Sequence, residues 1–168
     1  MSSQISSYFI NDHRRLESLL NRAASMIEQI EPAIYSEFRE GLLKHIGIEE
    51  KILLPAIKKL QNGLPYDAAD TLRVEHGALA ALLVPPPNKK IVSALRAILN
   101  HHNGLEESTN GLYRVCESLL GSEVDTIMNK VKNYPPVPVA RHVDSPNVLK
   151  ATRRALARAG YDFDQYGD

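Results

Sequence analysis

Along the first 120 residues, apolar positions recur at alternating steps of three and four, the period that places side chains on one side of a helix. Four such stripes are separated by breakers. Phe9, His13, Leu16, Leu20, Ala23 and Ile27 predict a helix over roughly 4–29, stopping near Glu31-Pro32. Phe38, Leu42, His45, Glu49, Ile52 and Ala56 predict a second from Pro32 to about Gln61, kinked at Pro55 and ended by Asn62-Gly63-Leu64-Pro65. Leu72, His76, Leu79 and Leu83 predict a third over roughly 66–83, closed by Pro85-Pro86-Pro87. Ile91, Leu95, Ile98, His102, Glu106, Thr109, Tyr113, Cys116 and Leu120 predict one long fourth helix over roughly 88–120, ended by Gly121. Period-two alternation is scarce. The expected fold is all-α, an antiparallel up-down-up-down four-helix bundle.

Beyond Gly121 the pattern changes. Residues 122–132 predict a short helix, and Asn133 to Pro146 a proline-rich extended connector. Ser145-Pro146 starts a last helix over roughly 146–159, stopped by Gly160. Tyr161, Phe163 and Tyr166 come next, among acidic residues. The expected organisation is a bundle over 1–121 and a C-terminal extension over 122–168, packed on the bundle or on a second subunit.

Each of the four stripes carries a histidine, and two carry a glutamate one turn later: His45-x-x-x-Glu49 and His102-x-x-x-Glu106. Residues at i and i+4 share a helix face, so each pair can address one centre. One histidine on an apolar stripe is ordinarily a satisfied core residue, and one His-x-x-x-Glu is ordinarily a surface pair. Six polar residues on four core stripes are different, because burying two glutamates without partners costs several kcal/mol each. A metal removes that cost. His13, His45, Glu49, His76, His102 and Glu106 are the candidate ligands. Imidazoles and carboxylates without a thiolate suit iron or manganese better than structural zinc. Carboxylates from two helices can bridge two ions, leaving about one open position per octahedral ion for a small ligand.

Composition narrows the function classes. Lys+Arg and Asp+Glu both number 20, so the net charge is zero, which argues against a strongly basic nucleic-acid binder. No apolar run approaches the roughly 20 residues of a membrane span, and the N-terminal MSSQISSYFIND carries no secretory pattern. The single Cys116 cannot form an internal disulfide, and a reducing cytoplasm is the expected location.

Over roughly residues 5–120 the sequence resembles the hemerythrin-like HHE cation-binding family. The resemblance rests on Asp12-His13-Arg14-Arg15-Leu16, His45-Ile-Gly-Ile-Glu49-Glu50 with Leu54-Pro55 after it, Glu75-His76, and His102-Asn-Gly-Leu-Glu106-Glu107. It implies a four-helix bundle holding two non-haem iron ions with a bridging oxo or hydroxo group. The implied partner is O₂, NO or peroxide, and neither nucleic acid nor membrane is expected. Family members are linked to oxygen or NO binding, iron handling, peroxide decomposition and stress responses. Enzymatic alternatives are therefore a peroxide-decomposing or oxidase centre. A further alternative is an iron-storage or iron- and oxygen-sensing module. Oxygen-carrying members have an additional histidine one turn before the third-helix ligand. Leu72 stands there in this chain, which makes reversible oxygen carriage the less expected use.

Several neighbours compete for roles. His101 lies about 100° round the helix from His102 and reads as a boundary residue. Glu50 and Glu107 are displaced in the same way and read as surface residues or partners of the ligands. Glu17 reads as solvated or ion-paired, with approach to the metal as the alternative. Tyr113 reads equally as a core tyrosine or as a hydrogen-bonding neighbour of the site. His142 reads as solvent-facing and Cys116 as a small core residue.

Overall fold

The computed structural model describes residues 3–26 and 28–167; the predicted stripe member Ile27 lies outside them. Among the described residues all regular structure is helical, with no strand. The bundle is built from α1 (Gln4–Ala23), α2 (Pro32–Ile48) continuing through a π-helical turn (Glu49–Leu53) into α3 (Leu54–Leu60), then α4 (Ala69–Leu82), α5 (Lys89–Glu107) and α6 (Leu112–Leu120). After it come α7 (Val124–Lys132) and α8 (Pro146–Arg158).

Three local departures from the predicted helices have identifiable causes. The first helix ends at Ala23, not near 29. The amide of Glu31 folds back onto the Ala23 carbonyl at 2.8 Å, capping the helix and delivering Pro32 to the first position of α2. In the second helix, Pro55 cannot donate to the preceding turn, and the backbone widens just before it, with the Leu54 amide reaching the Glu49 carbonyl. The extra residue turns the buried face by one position. Leu53 and Ile57 fill the core, whereas the predicted Ile52 and Ala56 are only half-buried.

The third departure is in the fourth predicted helix, which is not continuous. It stops after Glu107, makes a turn through Ser108-Thr109-Asn110-Gly111, and resumes at Leu112. All four turn residues favour turns over helix interiors, and Thr109, predicted for the core, is exposed. Gly111 is required by a close approach. A Cβ there would lie 2.3 Å from the Glu106 carbonyl oxygen and 2.6 Å from that of Leu105. Backbone atoms cannot swing aside, so Gly111→Ala is expected to destabilise the protein by roughly 2–3 kcal/mol, read from the denaturant midpoint. An unchanged midpoint would show the turn to be pliable.

The core forms two apolar clusters. One gathers Leu16, Leu20, Phe38, Leu42, Leu79, Leu82, Leu95 and Ile98 with neighbours. The other gathers Ile5, Phe9, Ile48, Leu53, Leu72, Leu112, Tyr113 and Cys116 with neighbours. The stripes of α1, α2, α4 and α5 each cross from one cluster to the other, and each crosses at its histidine. A buried polar layer is thereby sealed above and below by apolar side chains.

The C-terminal residues pack on α4. Residues 134–145 carry no regular structure, and the Arg39 side chain and the Val84 carbonyl hold them through Ala140 and Val143. Ser145 caps α8, Thr152 donates to the Ala81 carbonyl, and Leu156 and Phe163 join the first apolar cluster. Gly160 takes the left-handed conformation (φ 86°) that ends α8 and turns Tyr161 back toward the bundle.

A buried histidine–carboxylate centre

His13, His45, Glu49, His76, His102 and Glu106, the six predicted ligands, converge in the polar layer, and all six are buried. Their donor atoms fall into two groups that share both glutamates: His13, His45, Glu49 and Glu106, and Glu49, His76, His102 and Glu106. Within each group the donor atoms lie within 4.8 Å of one another. The sharing is atom by atom. Glu49 turns Oε1 to His45 Nε2 (3.1 Å) and Oε2 to His76 Nε2 (3.1 Å). Glu106 turns Oε2 to His13 Nε2 (3.2 Å) and Oε1 to His102 Nε2 (2.9 Å). Each carboxylate therefore offers one oxygen to each histidine pair.

The outer nitrogens are held by a second set of carboxylates. His13 Nδ1–H donates to Glu107 (2.7 Å), His45 Nδ1–H to Asp12 (2.8 Å) and His76 Nδ1–H to Glu50 (2.7 Å). His102 Nδ1 faces Glu75 at 3.8 Å. The pairing closes a ring. Asp12 adjoins His13 in the chain but serves His45, and Glu50 adjoins Glu49 but serves His76. Glu75 adjoins His76 but serves His102, and Glu107 adjoins Glu106 but serves His13. Such partners fix ring orientation and raise imidazole basicity at the other nitrogen. Three of the four are themselves held by arginine: Glu107 by Arg14 (2.8 Å), Asp12 by Arg15 (2.8 Å) and Glu50 by Arg73 (3.3 Å).

Tyr113 enters between the first histidine pair and both shared carboxylates. Its hydroxyl lies 2.6 Å from Glu49 Oε1, 2.9 Å from Glu106 Oε2, 2.9 Å from His13 Nε2 and 3.3 Å from His45 Nε2. In an unbroken helix it would sit about 10 Å along the axis from Glu106; the turn at 108–111 brings it in. The remaining candidates fall outside the inner set. Glu17 is exposed and paired with Arg14. His101 is exposed and bonds Glu75 rather than the centre. His142 is exposed, and Cys116 is buried in the apolar core. Asp12 and Glu75 stand in the sequence only as neighbours of His13 and His76 in the family-like motifs, with no role expected of them; that adjacency to a histidine was their one signal.

This donor set fits a cation. With the Nδ1–H groups of His13, His45 and His76 directed at carboxylates, their Nε2 atoms present lone pairs inward, and those of His13 and His45 stand 3.1 Å apart. Tyr113 has one proton for two carboxylates. Both ring nitrogens of His102 and Glu106 Oε1 are buried without a hydrogen-bond partner. Such an electron-rich pocket is costly unless positive charge fills it.

Without a metal, protons take that role. Burial opposes charging His45, but Glu49 and Asp12 outweigh it and lift its pKa to about 10. His102 reaches about 10 in the same way, with Glu106 and Glu75 overriding burial. Glu49 is held well below the usual carboxylate range: burial would raise it, but His45 and His76 prevail. Burial and the two shared carboxylates push the Tyr113 phenol well above its ordinary value, so it is neutral here.

These shifts carry a stability signature. A histidine whose folded pKa lies above its ordinary 6.5 contributes fully below pH 6.5 and loses that contribution as pH rises through about 10. The metal-free protein is expected to lose Tm across that window, and the metal-loaded protein to hold it, because bound metal uses neutral imidazole. Parallel Tm–pH curves with and without chelator would contradict this.

Residues 4–111 match the family model described as Hemerythrin HHE cation binding domain. No curated protein and no solved structure matches the chain. Tyr113, and every residue of the C-terminal segment packed on α4, lies beyond the matched stretch.

Proposed function

Because this chain belongs to the hemerythrin HHE cation-binding family, we propose that it holds two iron ions and binds O₂, NO or peroxide at them. His13, His45, Glu49 and Glu106 hold one ion, and Glu49, His76, His102 and Glu106 the other. The observation that carries the reading is the division of both carboxylates, one oxygen to each histidine pair. Nitrogen and oxygen donors without thiolate favour iron over structural zinc. When bound, the pair supplies two adjacent redox-active Lewis-acid centres.

The chain's own residues set the rest. The outer carboxylate ring orients the imidazoles, and the two apolar clusters close the layer above and below. Tyr113 stands beside the first ion's ligands and supplies a phenol oxygen there. The second ion has no such neighbour, and Leu72, one turn before His76, offers no donor. If two ions were held in this way, the vacancy for an exogenous ligand would be on the His76/His102 side. A cavity of about 470 Å³ lined by His13, His45, His102, Leu16, Leu42 and Leu79 reaches the layer between α1 and α5. This is room for a small ligand to enter.

A second reading, peroxide consumption or oxidase chemistry at the same centre, is favoured by that vacancy together with an oxidisable phenol in contact with both carboxylates. No helix of the described residues is long and apolar enough to cross a membrane. The single cysteine suits a reducing cytoplasm.

Anaerobic iron titration is expected to saturate near two equivalents with a coupled pair by Mössbauer spectroscopy. His102→Ala should lose an equivalent, whereas His101→Ala should keep the two-equivalent endpoint. A sharp endpoint at one in the wild type, with no coupled pair, would reject the two-iron reading.

A further inference from the structure

Three stations of the outer ring are complete and one is not. Asp12, Glu50 and Glu107 each sit within 2.8 Å of their imidazole and each is braced by an arginine. Glu75 has no arginine. Its Oε2 instead accepts from the Tyr161 hydroxyl at 2.9 Å and from His101 Nδ1–H at 3.0 Å. Its Oε1 is buried and unpartnered, facing the equally unpartnered Nδ1 of His102 across 3.8 Å. A carboxylate only 2 % exposed and held on one oxygen is aimed by whatever holds it.

The holder comes from the far end of the chain. Tyr161 is 86 residues from Glu75 and outside the stretch that matches the family. Its place depends on α8 docking against α4 and on the left-handed Gly160 that ends α8. Phe163, clamped beneath Lys90 and Arg153, anchors the other side. The tyrosine is thus fixed only while the segment is docked.

We infer that the C-terminal segment is a working part of the metal centre, with Tyr161 as a positioning residue that aims Glu75 at His102. The inference rests on the reading that His102 holds a metal. It makes segment docking and occupancy of the His76/His102 side two ends of one equilibrium, since coupling between two binding events is reciprocal. A partner or modification that lifts α8 off α4 would loosen that metal, and loss of that metal would loosen α8.

Tyr161→Phe keeps the ring and removes only the hydroxyl. By competition with a chelator, its second iron equivalent is expected to bind about tenfold more weakly, the lower range for loss of such an outer partner, with the first unchanged. By reciprocity, iron loading should slow hydrogen exchange of the α8 amides about tenfold in the wild type but not in Tyr161→Phe. Tyr166→Phe, which alters a tyrosine of the same segment that makes no bond to Glu75, should behave as wild type in both measurements. Glu75→Gln, which leaves the segment's own packing intact, should also abolish the iron-dependent protection; it serves as the test if Tyr161→Phe fails to dock. Two equally tight irons in Tyr161→Phe with wild-type protection of α8 would overturn the inference and leave the two-iron reading standing. Failure of the wild type to take two irons would bring down that reading itself.

Discussion

Glu49→Gln is expected to leave the protein without either tightly held metal, although the side chain keeps its size. Glu49 is fully buried and divides its oxygens between His45 and His76. An amide has one acceptor oxygen and one donor nitrogen, so one histidine pair loses its anionic ligand and faces an N–H instead. The other loses half of the charge that balanced its cation. Breaking a buried charged pair costs about 3–5 kcal/mol, on the order of a hundredfold or more in affinity, and here both positions share the loss. The Tyr113 hydroxyl, 2.6 Å from Glu49 Oε1, also loses its strongest acceptor. Metal analysis after gel filtration should find the variant nearly empty. Its Tm should be insensitive to chelator, because the stabilisation that a bound metal adds has gone. His76→Ala, which touches one position only, should keep about one equivalent. A Glu49→Gln protein that retains one fully occupied metal would mean that Glu49 serves a single position and that the bridge is not there.

The second large effect separates carriage from reactivity. Iron-loaded protein, reduced under argon and mixed with O₂, is expected to convert to the ferric form on mixing and to consume added peroxide at the same centre. Azide should compete with both. Leu72 is fully buried one turn before His76 and cannot donate, so an iron held by His76 and His102 would lack the additional imidazole that the resemblance assigns to oxygen carriers. Leu72→His supplies the missing imidazole and should slow the conversion by about tenfold or more, equivalent to about 1.4 kcal/mol on the barrier. Tyr113→Phe tests the other ion. Both irons should remain, because four protein donors still face each, but the visible absorption expected of a phenolate on ferric iron should vanish. Stopped-flow spectra give both readings. A long-lived adduct that returns O₂ on evacuation would restore carriage, and an unchanged spectrum in Tyr113→Phe would place the phenol outside the coordination shell.

The residues that converge on the centre were legible in the chain because helical periodicity is local. A histidine on each of four apolar stripes, two followed by glutamate at i+4, places six polar side chains on inward faces whatever the crossing angles. The boundaries of these stripes were less legible. The π-turn before Pro55 shifts the buried face by one residue, which a fixed three-four step cannot register, and the break at Ser108–Gly111 takes Thr109 out of the core while Tyr113, Cys116 and Leu120 stay buried. On that step Ile52, Ala56 and Thr109 fall in the core, whereas Leu53 and Ile57 hold the places of the first two. Ser108-Thr109-Asn110-Gly111 carries turn chemistry, but the apolar stripe continues on either side of it and masks the break.

By itself the sequence determined the helical class, the six polar side chains on the inward faces of four helices, and the donor chemistry that makes a metal the natural filling. Each arises from spacing within one helix, where neighbours in space are neighbours in the chain. Only the tertiary structure decided who partners whom across helices. Asp12, Glu50, Glu75 and Glu107 adjoin the centre's histidines or glutamates in sequence, yet each serves an imidazole on a different helix, because the flanking residue points about 100° away from its neighbour and meets the next helix in the bundle. Tertiary structure also decided that Glu49 and Glu106 turn separate oxygens to the two histidine pairs. It brought Tyr113 in through a turn, and it carried Tyr161 back over the bundle to Glu75. Those contacts depend on how helices dock and where loops return, and no periodicity within a helix encodes either.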